Sequence, residues 1–267
     1  MKLVRKTLLG LAAVAVVMGL ASCKFGAGTG STSGSKYNKD MTVDATPENT
    51  KKPCNTKYRR FWEELSSFEA CAELTTKVSI DYDNSNMSSG VATTGLIFNL
   101  NKSETGNTVD FILIGISPTA GYYVEKYENI EKGKAASLDT DDSAISDDFT
   151  SLDGKASGVN YKPWSSVGIT PTLTNDGKYE FTVKIEQETP GIYTVYINNK
   201  KVSVDAKMKA ITPAKTKELK KDGVKGTYAV GGIACYGSVS KGNKLIANFA
   251  TDKDSVLGTL NAEEIEE

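Results

Sequence analysis

The sequence contains no histidine in 267 residues, and only four cysteines, two tryptophans and seven prolines. Without an imidazole there is no Ser-His-Asp or Cys-His nucleophile, no histidine-ligated zinc and no histidine pH switch. An excess of either charge is also missing: 32 Lys+Arg stand against 33 Asp+Glu. That balance argues against a dedicated nucleic-acid binder, which needs a basic face. There is no Gly-x-x-x-x-Gly-Lys-Ser/Thr loop to cradle a phosphate and no Cys-x-x-Cys pair. Long hydrophobic runs are absent too. The longest, Leu8 to Leu20, covers 13 residues, whereas a membrane-spanning helix needs roughly 20. What is present, 39% hydrophobic residues and 24 glycines, suits a globular domain with many turns.

The short run is placed as a secretory signal would be. Lys2, Arg5 and Lys6 form a positive leader, and the apolar stretch ends in Leu20-Ala21-Ser22-Cys23. These four residues resemble the bacterial lipobox. The resemblance implies cleavage before Cys23, a thioether-linked diacylglycerol on its sulfur and an acylated amine. Two or three chains, at about 0.8 kcal/mol per buried methylene, anchor stably where one is marginal. The expected address is the bacterial envelope, with outer membrane or cell surface favoured because Lys24 is not the aspartate linked to inner-membrane retention. Loss of residues 1–22 removes three basic residues and no acidic one. The mature chain then has 245 residues, 29 Lys+Arg and 33 Asp+Glu, a net charge of −4.

Residues 23–57 read as a lipidated flexible tether, rich in Gly, Ser and Thr at first and polar afterwards. Phe61, Trp62, Leu65 and Phe68 follow at helical spacing and predict a short N-terminal helix. Cys54 and Cys71 flank it, and in an oxidising compartment a disulfide between them is plausible. Cys235, in a strand pattern with Ile233 and Val239, reads as a buried and inert thiol.

From Thr75 onward period-two alternation dominates. Phe181, Val183 and Ile185 alternate with polar neighbours, and Leu96, Phe98 and Leu100 alternate with Ile97 and Asn99. Asn198-Asn199-Lys200 between two apolar runs signals a hairpin. About ten strands with no βαβ rhythm predict an all-β antiparallel sandwich over residues 58–250, followed by an acidic tail at 251–267.

The order of these strands resembles the concanavalin A-like lectin/glucanase jelly roll and its laminin-G-like branches. The residues that carry the likeness are Gly95-Leu96-Ile97-Phe98, Tyr122-Tyr123-Val124, the hairpin from Tyr193 to Val202, and Gly231 to Tyr236 with Ala247-Asn248-Phe249. Together they span roughly residues 75–250. The resemblance implies a sandwich that binds saccharide or protein, or hydrolyses glycans. Glucanases of that superfamily carry Glu-x-Asp-x-x-Glu on one strand. Here Glu186-Gln187-Glu188 begins the triplet, but Gly191 stands at its end; Glu264 and Glu266 begin it again where the sequence stops. No catalytic residue is therefore carried over.

Other candidate sites are weaker. Asp139, Asp141 and Asp142 open an acidic run that could hold calcium, since hard cations take clustered carboxylates, but the run lacks the EF-hand glycine and closing glutamate. A solvated loop is the alternative. Lys215, Lys217, Lys220, Lys221 and Lys225 read as a solvated loop or an anion-facing patch. Trp164 is the preferred saccharide contact, with Tyr161 and Tyr122, because indole and phenol faces stack on sugar rings; the other reading has Trp164 capping the core. The expected function is a membrane-anchored, non-catalytic module that binds a glycan or an envelope or host protein. A glycoside hydrolase or lyase and a structural assembly lipoprotein are the alternatives.

Overall fold

The computed structural model describes residues 35–46, 58–71, 73–82, 92–105, 108–131, 161–202, 204, 210–221, 224–240, 242–252 and 263–264. These residues form β1 (Ser35–Asp44), β2 (Tyr58–Cys71), β3 (Glu73–Tyr82), β4 (Thr93–Lys102), β5 (Thr108–Ser117) and β6 (Gly121–Glu131). There follow β7 (Tyr179–Thr189), β8 (Ile192–Ile197), β9 (Lys200–Lys201), β10 (Thr216–Lys221), β11 (Val224–Ser240), β12 (Lys244–Asp252) and β13 (Glu263–Glu264). A 3-10 turn, Trp164–Val167, precedes β7.

Two antiparallel sheets result. The six-stranded sheet runs β1-β12-β3-β7-β8-β9, and the seven-stranded sheet runs β13-β10-β11-β4-β5-β6, with β2 also paired to β11. Side chains alternate along each strand, so one face of each sheet can be apolar. In β7, Phe181, Val183 and Ile185 are buried while Glu180 is exposed and Thr182, Lys184 and Glu186 are half-buried. Their partners across the sandwich include Leu96, Phe98, Ile112, Ile114, Ile233 and Cys235, which join them in one core between the sheets. The structure is the all-β antiparallel sandwich that the sequence predicts.

The turns follow local chemistry. Between β8 and β9, Asn198 and Asn199 hold φ of 48° and 62°, the paired positive values of a type I′ hairpin. Asn198 Oδ1 also accepts the Thr182 amide at 2.8 Å.

Four segments differ from the sequence reading. Residues 58–71 are a strand, not a helix. β2 carries two register irregularities against β11, and each extra residue reverses which way later side chains point. Trp62 joins a cluster on the outer face while Leu65 packs on the inter-sheet core, because a spacing of three is odd and odd spacings fall on opposite faces of a strand. The stretch read as tether includes β1, paired with β12 along its length. Met41, Val43 and Ala45 alternate into the core, and they fit because the facing residue is Gly237, where a Cβ would fall 2.5 Å from Met41 Cε. The basic run is not a loop: Thr216–Lys221 is β10, held by Leu219 against Ala70, Tyr228 and Val230. Within the acidic tail, Glu263–Glu264 pairs with β10.

Leu96, Phe98 and Leu100 do not share one face. Leu96 and Phe98 point into the inter-sheet core and Leu100 to the outer cluster. The switch is at Asn99, whose φ of 54° breaks the ladder. Its buried amide donates to the Val230 and Lys215 carbonyls at 2.9 and 3.0 Å and accepts the Ala214 amide at 2.8 Å. Gly231 lies against it; a Cβ there would sit 2.8 Å from the Asn99 carbonyl carbon.

Candidate functional site: the outer face of the seven-stranded sheet

The face of the seven-stranded sheet turned away from the core is itself apolar and aromatic. Trp62, Ile97, Leu100, Phe111, Leu113, Ala234 and Tyr236 form a second cluster, with Tyr123, Tyr127 and Ile130 packed on it. Strand register explains how they meet. Trp62 pairs with Tyr236, Tyr236 with Gly95, Gly95 with Gly115, and Gly115 with Tyr123. Directly opposed residues share a face, so one rung across five strands reads Trp, Tyr, Gly, Gly, Tyr. Gly115 makes room for a ring: a Cβ there would lie 2.2 Å from Tyr123 Cζ. Tyr123 therefore lies across the sheet over Gly115.

The rings pack by the geometries their quadrupoles prefer. Trp62 meets Phe111 edge-on at 5.1 Å, Phe111 stacks on Tyr127 at 4.9 Å, and Tyr123 meets Tyr161 edge-on at 5.3 Å. Trp62, Phe111 and Tyr236 are buried, whereas Tyr123, Tyr127 and Tyr161 are half-buried. Burial pushes the phenols of Tyr123 and Tyr127 well above the ordinary tyrosine value; neighbouring phenols and Glu125 add to the shift. Both therefore stay neutral and act as hydroxyl donors and acceptors.

Polar groups are set among the rings. The Tyr127 hydroxyl donates to Glu125 Oε2 at 2.6 Å, and Glu125 is itself buried. Tyr161 and Thr93 share a hydrogen bond between their hydroxyls. Opposite Thr93 stands Ser238, whose buried Oγ has no hydrogen-bond partner among the described residues. A second rung runs Glu64, Ala234, Ile97, Leu113, Glu125. Its two carboxylates are four strand spacings apart, about 19 Å, roughly twice the widest separation that glycoside hydrolysis uses. Glu64 is held by Lys102 at 2.6 Å.

The residues singled out from sequence fall in three places. Trp164 is buried between the sheets, stacked on Phe181 at 5.0 Å and tilted against Tyr122 at 5.5 Å. Its Nε1 donates to the Ser117 and Pro118 carbonyls at 3.0 and 3.2 Å. Tyr122 is fully buried beside it. Both cap the core rather than present a ring to solvent, and Gly168 at φ 65° ends the 3-10 turn that carries Trp164. Tyr161, three residues earlier, stays on the outer face. Cys71 is buried at the end of β2. Cys23, Cys54, Asp139, Asp141 and Asp142 lie outside the described residues. Among the described residues no three Cys, Asp or Glu side chains come together as metal ligands would. Cys235 is buried, and burial pushes its thiol up to about 12.

Glu186 and Glu188 belong to β7 in the other sheet. Glu186 pairs with Lys184 at 3.1 Å. Glu188 accepts the Tyr196 hydroxyl at 2.5 Å and Lys201 Nζ at 3.1 Å, which hold its carboxyl down to about 2. The aromatic face was missed although its signal is present: Tyr123, Glu125 and Tyr127 stand at alternate positions, as do Phe111 and Leu113.

No protein-family model and no curated protein matches this chain. Among solved structures it is similar to a fructofuranosidase from Schwanniomyces occidentalis complexed with fructose, at 11% identity and a TM-score of 0.35. That likeness covers 82% of this chain and 34% of the other, so the chain spans about a third of its length. It is also similar to the carbohydrate recognition domain of Emp47p, at 10% identity and a TM-score of 0.24, over 78% of this chain and 94% of that one. Likeness at this level assigns no function.

Proposed function

We propose that the protein is a lipid-anchored component of the bacterial envelope, at the outer membrane or cell surface, and a non-catalytic saccharide-binding module of concanavalin-like type. The observation that carries the binding is the outer rung of the seven-stranded sheet. Half-buried Tyr123 lies over Gly115 with half-buried Tyr161 edge-on to it, and Glu125 and Ser238 supply polar atoms among the rings. Sugar rings suit such a surface, since their C–H faces stack on aromatics while their hydroxyls meet neutral phenols and carboxylates. The anchor rests on the sequence from Lys2 to Cys23, and it leaves the sandwich exported and tethered through Cys23.

The test is a glycan array probed with residues 23–267 carrying Cys23→Ser, in calcium and again in chelator. Binding that survives chelator and weakens about tenfold in Tyr123→Ala supports stacking on this face. Binding abolished by chelator instead assigns the contact to a cation at Asp139, Asp141 and Asp142. No binding in either condition overturns the saccharide reading. The anchor has its own assay: metabolic labelling with palmitate in the native host, expected in the wild type and lost in Cys23→Ser.

A further inference from the structure

Next to the end of the seven-stranded sheet stands β10, a basic strand whose occupant, β13, is acidic. β10 pairs on one side with β11, from Thr216↔Ala229 to Lys221↔Val224. β2 meets β11 only from Ala229 onward, so the β10–β11 hairpin continues past the end of β2. The described pairing on the other side of β10 involves only Leu219↔Glu264 and Lys220↔Glu263. Exposed sheet edges recruit further strands unless something covers them.

Two features define what fits this edge. Leu219 is buried against Ala70, Tyr228 and Val230, which holds the backbone extended and ready to pair. Lys215, Lys217, Lys220 and Lys225 are exposed around it, with Glu218 the only carboxylate on the strand. The segment seated there belongs to Ala-Glu-Glu-Ile-Glu-Glu, residues 262–267, with four carboxylates in six residues. A basic, preformed edge thus carries an acidic extended strand over two residue pairs.

We propose that β10 is a strand-addition site for an acidic extended segment of a partner protein, and that the chain's own Glu263–Glu264 strand occupies it in cis as a competitor. Main-chain hydrogen bonds would supply the pairing and the lysines the selectivity, as in β-augmentation generally. The covalently attached tail competes at an effective concentration of about millimolar, so a partner must outbid it or bind once the tail is removed. This site is separate from the aromatic face and stands whether or not that face takes saccharide.

The test compares the full chain with a variant ending at Asn261, using as probe a fluorescent peptide of residues 259–267 read by anisotropy. The peptide should bind the shortened chain at least about tenfold more tightly than the full chain, since only there is the edge free of its tethered competitor. Lys217→Glu with Lys220→Glu in the shortened chain should weaken binding by about tenfold or more, and salt raised from about 0.05 to about 0.5 M should weaken it too. Glu263→Pro with Glu264→Pro in the full chain opens the edge without shortening it, because proline cannot donate to a ladder. This variant should bind the peptide as the shortened chain does. Equal affinity for full and shortened chains overturns the proposal, as does an absence of binding while circular dichroism shows the sheets intact. Loss of folding in both tail variants overturns it as well, by making the tail a part of the core. So does dimerisation of the shortened chain, by showing that the edge pairs with itself.

Discussion

Asn99 shows how much one buried polar side chain can decide. At φ 54° it turns β4 and hands Leu100 to the outer face, while its amide bonds tie the strand to Val230 and to the segment entering β10. Asn99→Ala loses those bonds and adds backbone strain, at an expected cost of about 3 kcal/mol. Asn99→Gly loses the bonds but tolerates the dihedral, and should be less costly by about 1 kcal/mol; urea midpoints of the two variants measure the difference. Burial disfavours the thiolate of Cys235. Its folded value is raised, so the neutral thiol stabilises the native state below about 9 and that contribution is lost as pH climbs toward about 12. Tyr37, pushed up to about 12 by burial and by its bond to Glu69, acts in the same sense, as does Tyr193. Stability should therefore fall with a rise in pH above about 9. Cys235→Ala should flatten part of that fall, and the native thiol should not react with a water-soluble disulfide reagent at pH near 8 until urea unfolds the chain.

At the scale of elements, the segment from Tyr161 to Ile169 separates two roles within a few residues. Tyr161 stands against Tyr123 on the outer face, and Trp164 stacks on Phe181 between the sheets. Trp164→Ala should cost about 3–5 kcal/mol of stability and leave saccharide affinity of the folded fraction unchanged; thermal melts and binding on the same sample distinguish the effects. Gly115→Ala should do the reverse. Its methyl group would strike the Tyr123 ring, so the ring must move and binding at that face should fall by about tenfold, while the inter-sheet core keeps its contacts.

At the scale of the whole molecule, β1 changes where the domain begins. It closes one edge of the six-stranded sheet, and Met41 and Val43 sit over Gly237 of the other. Tyr37 donates to buried Glu69 in β2 and adds a link between strands far apart in sequence. A fragment of residues 56–267 should therefore lose the cooperative unfolding transition that residues 24–267 retain, as followed by circular dichroism on heating. If both melt alike, β1 is an accessory to the sandwich.

Sequence alone determined the class of the fold, the hairpin at Asn198-Asn199 and the burial of Cys235. Each depends on local chemistry: period-two burial, asparagine's tolerance of positive φ, and an apolar face around one thiol. The same patterns failed where a residue's face depends on its partner. Trp62 and Leu65 at helical spacing became opposite faces of a strand, because a spacing of three that closes one side of a helix is odd in a period of two. The polar stretch before Cys54 became β1 because a glycine on the other sheet left room for Met41. The aromatic face needed the tertiary structure most. Trp62, Tyr236 and Tyr123 are far apart along the chain, and only the order β2-β11-β4-β5-β6 sets them on one rung across Gly95 and Gly115. Alternation can tell which way a side chain points within its strand, but pairing register decides which side chains it meets.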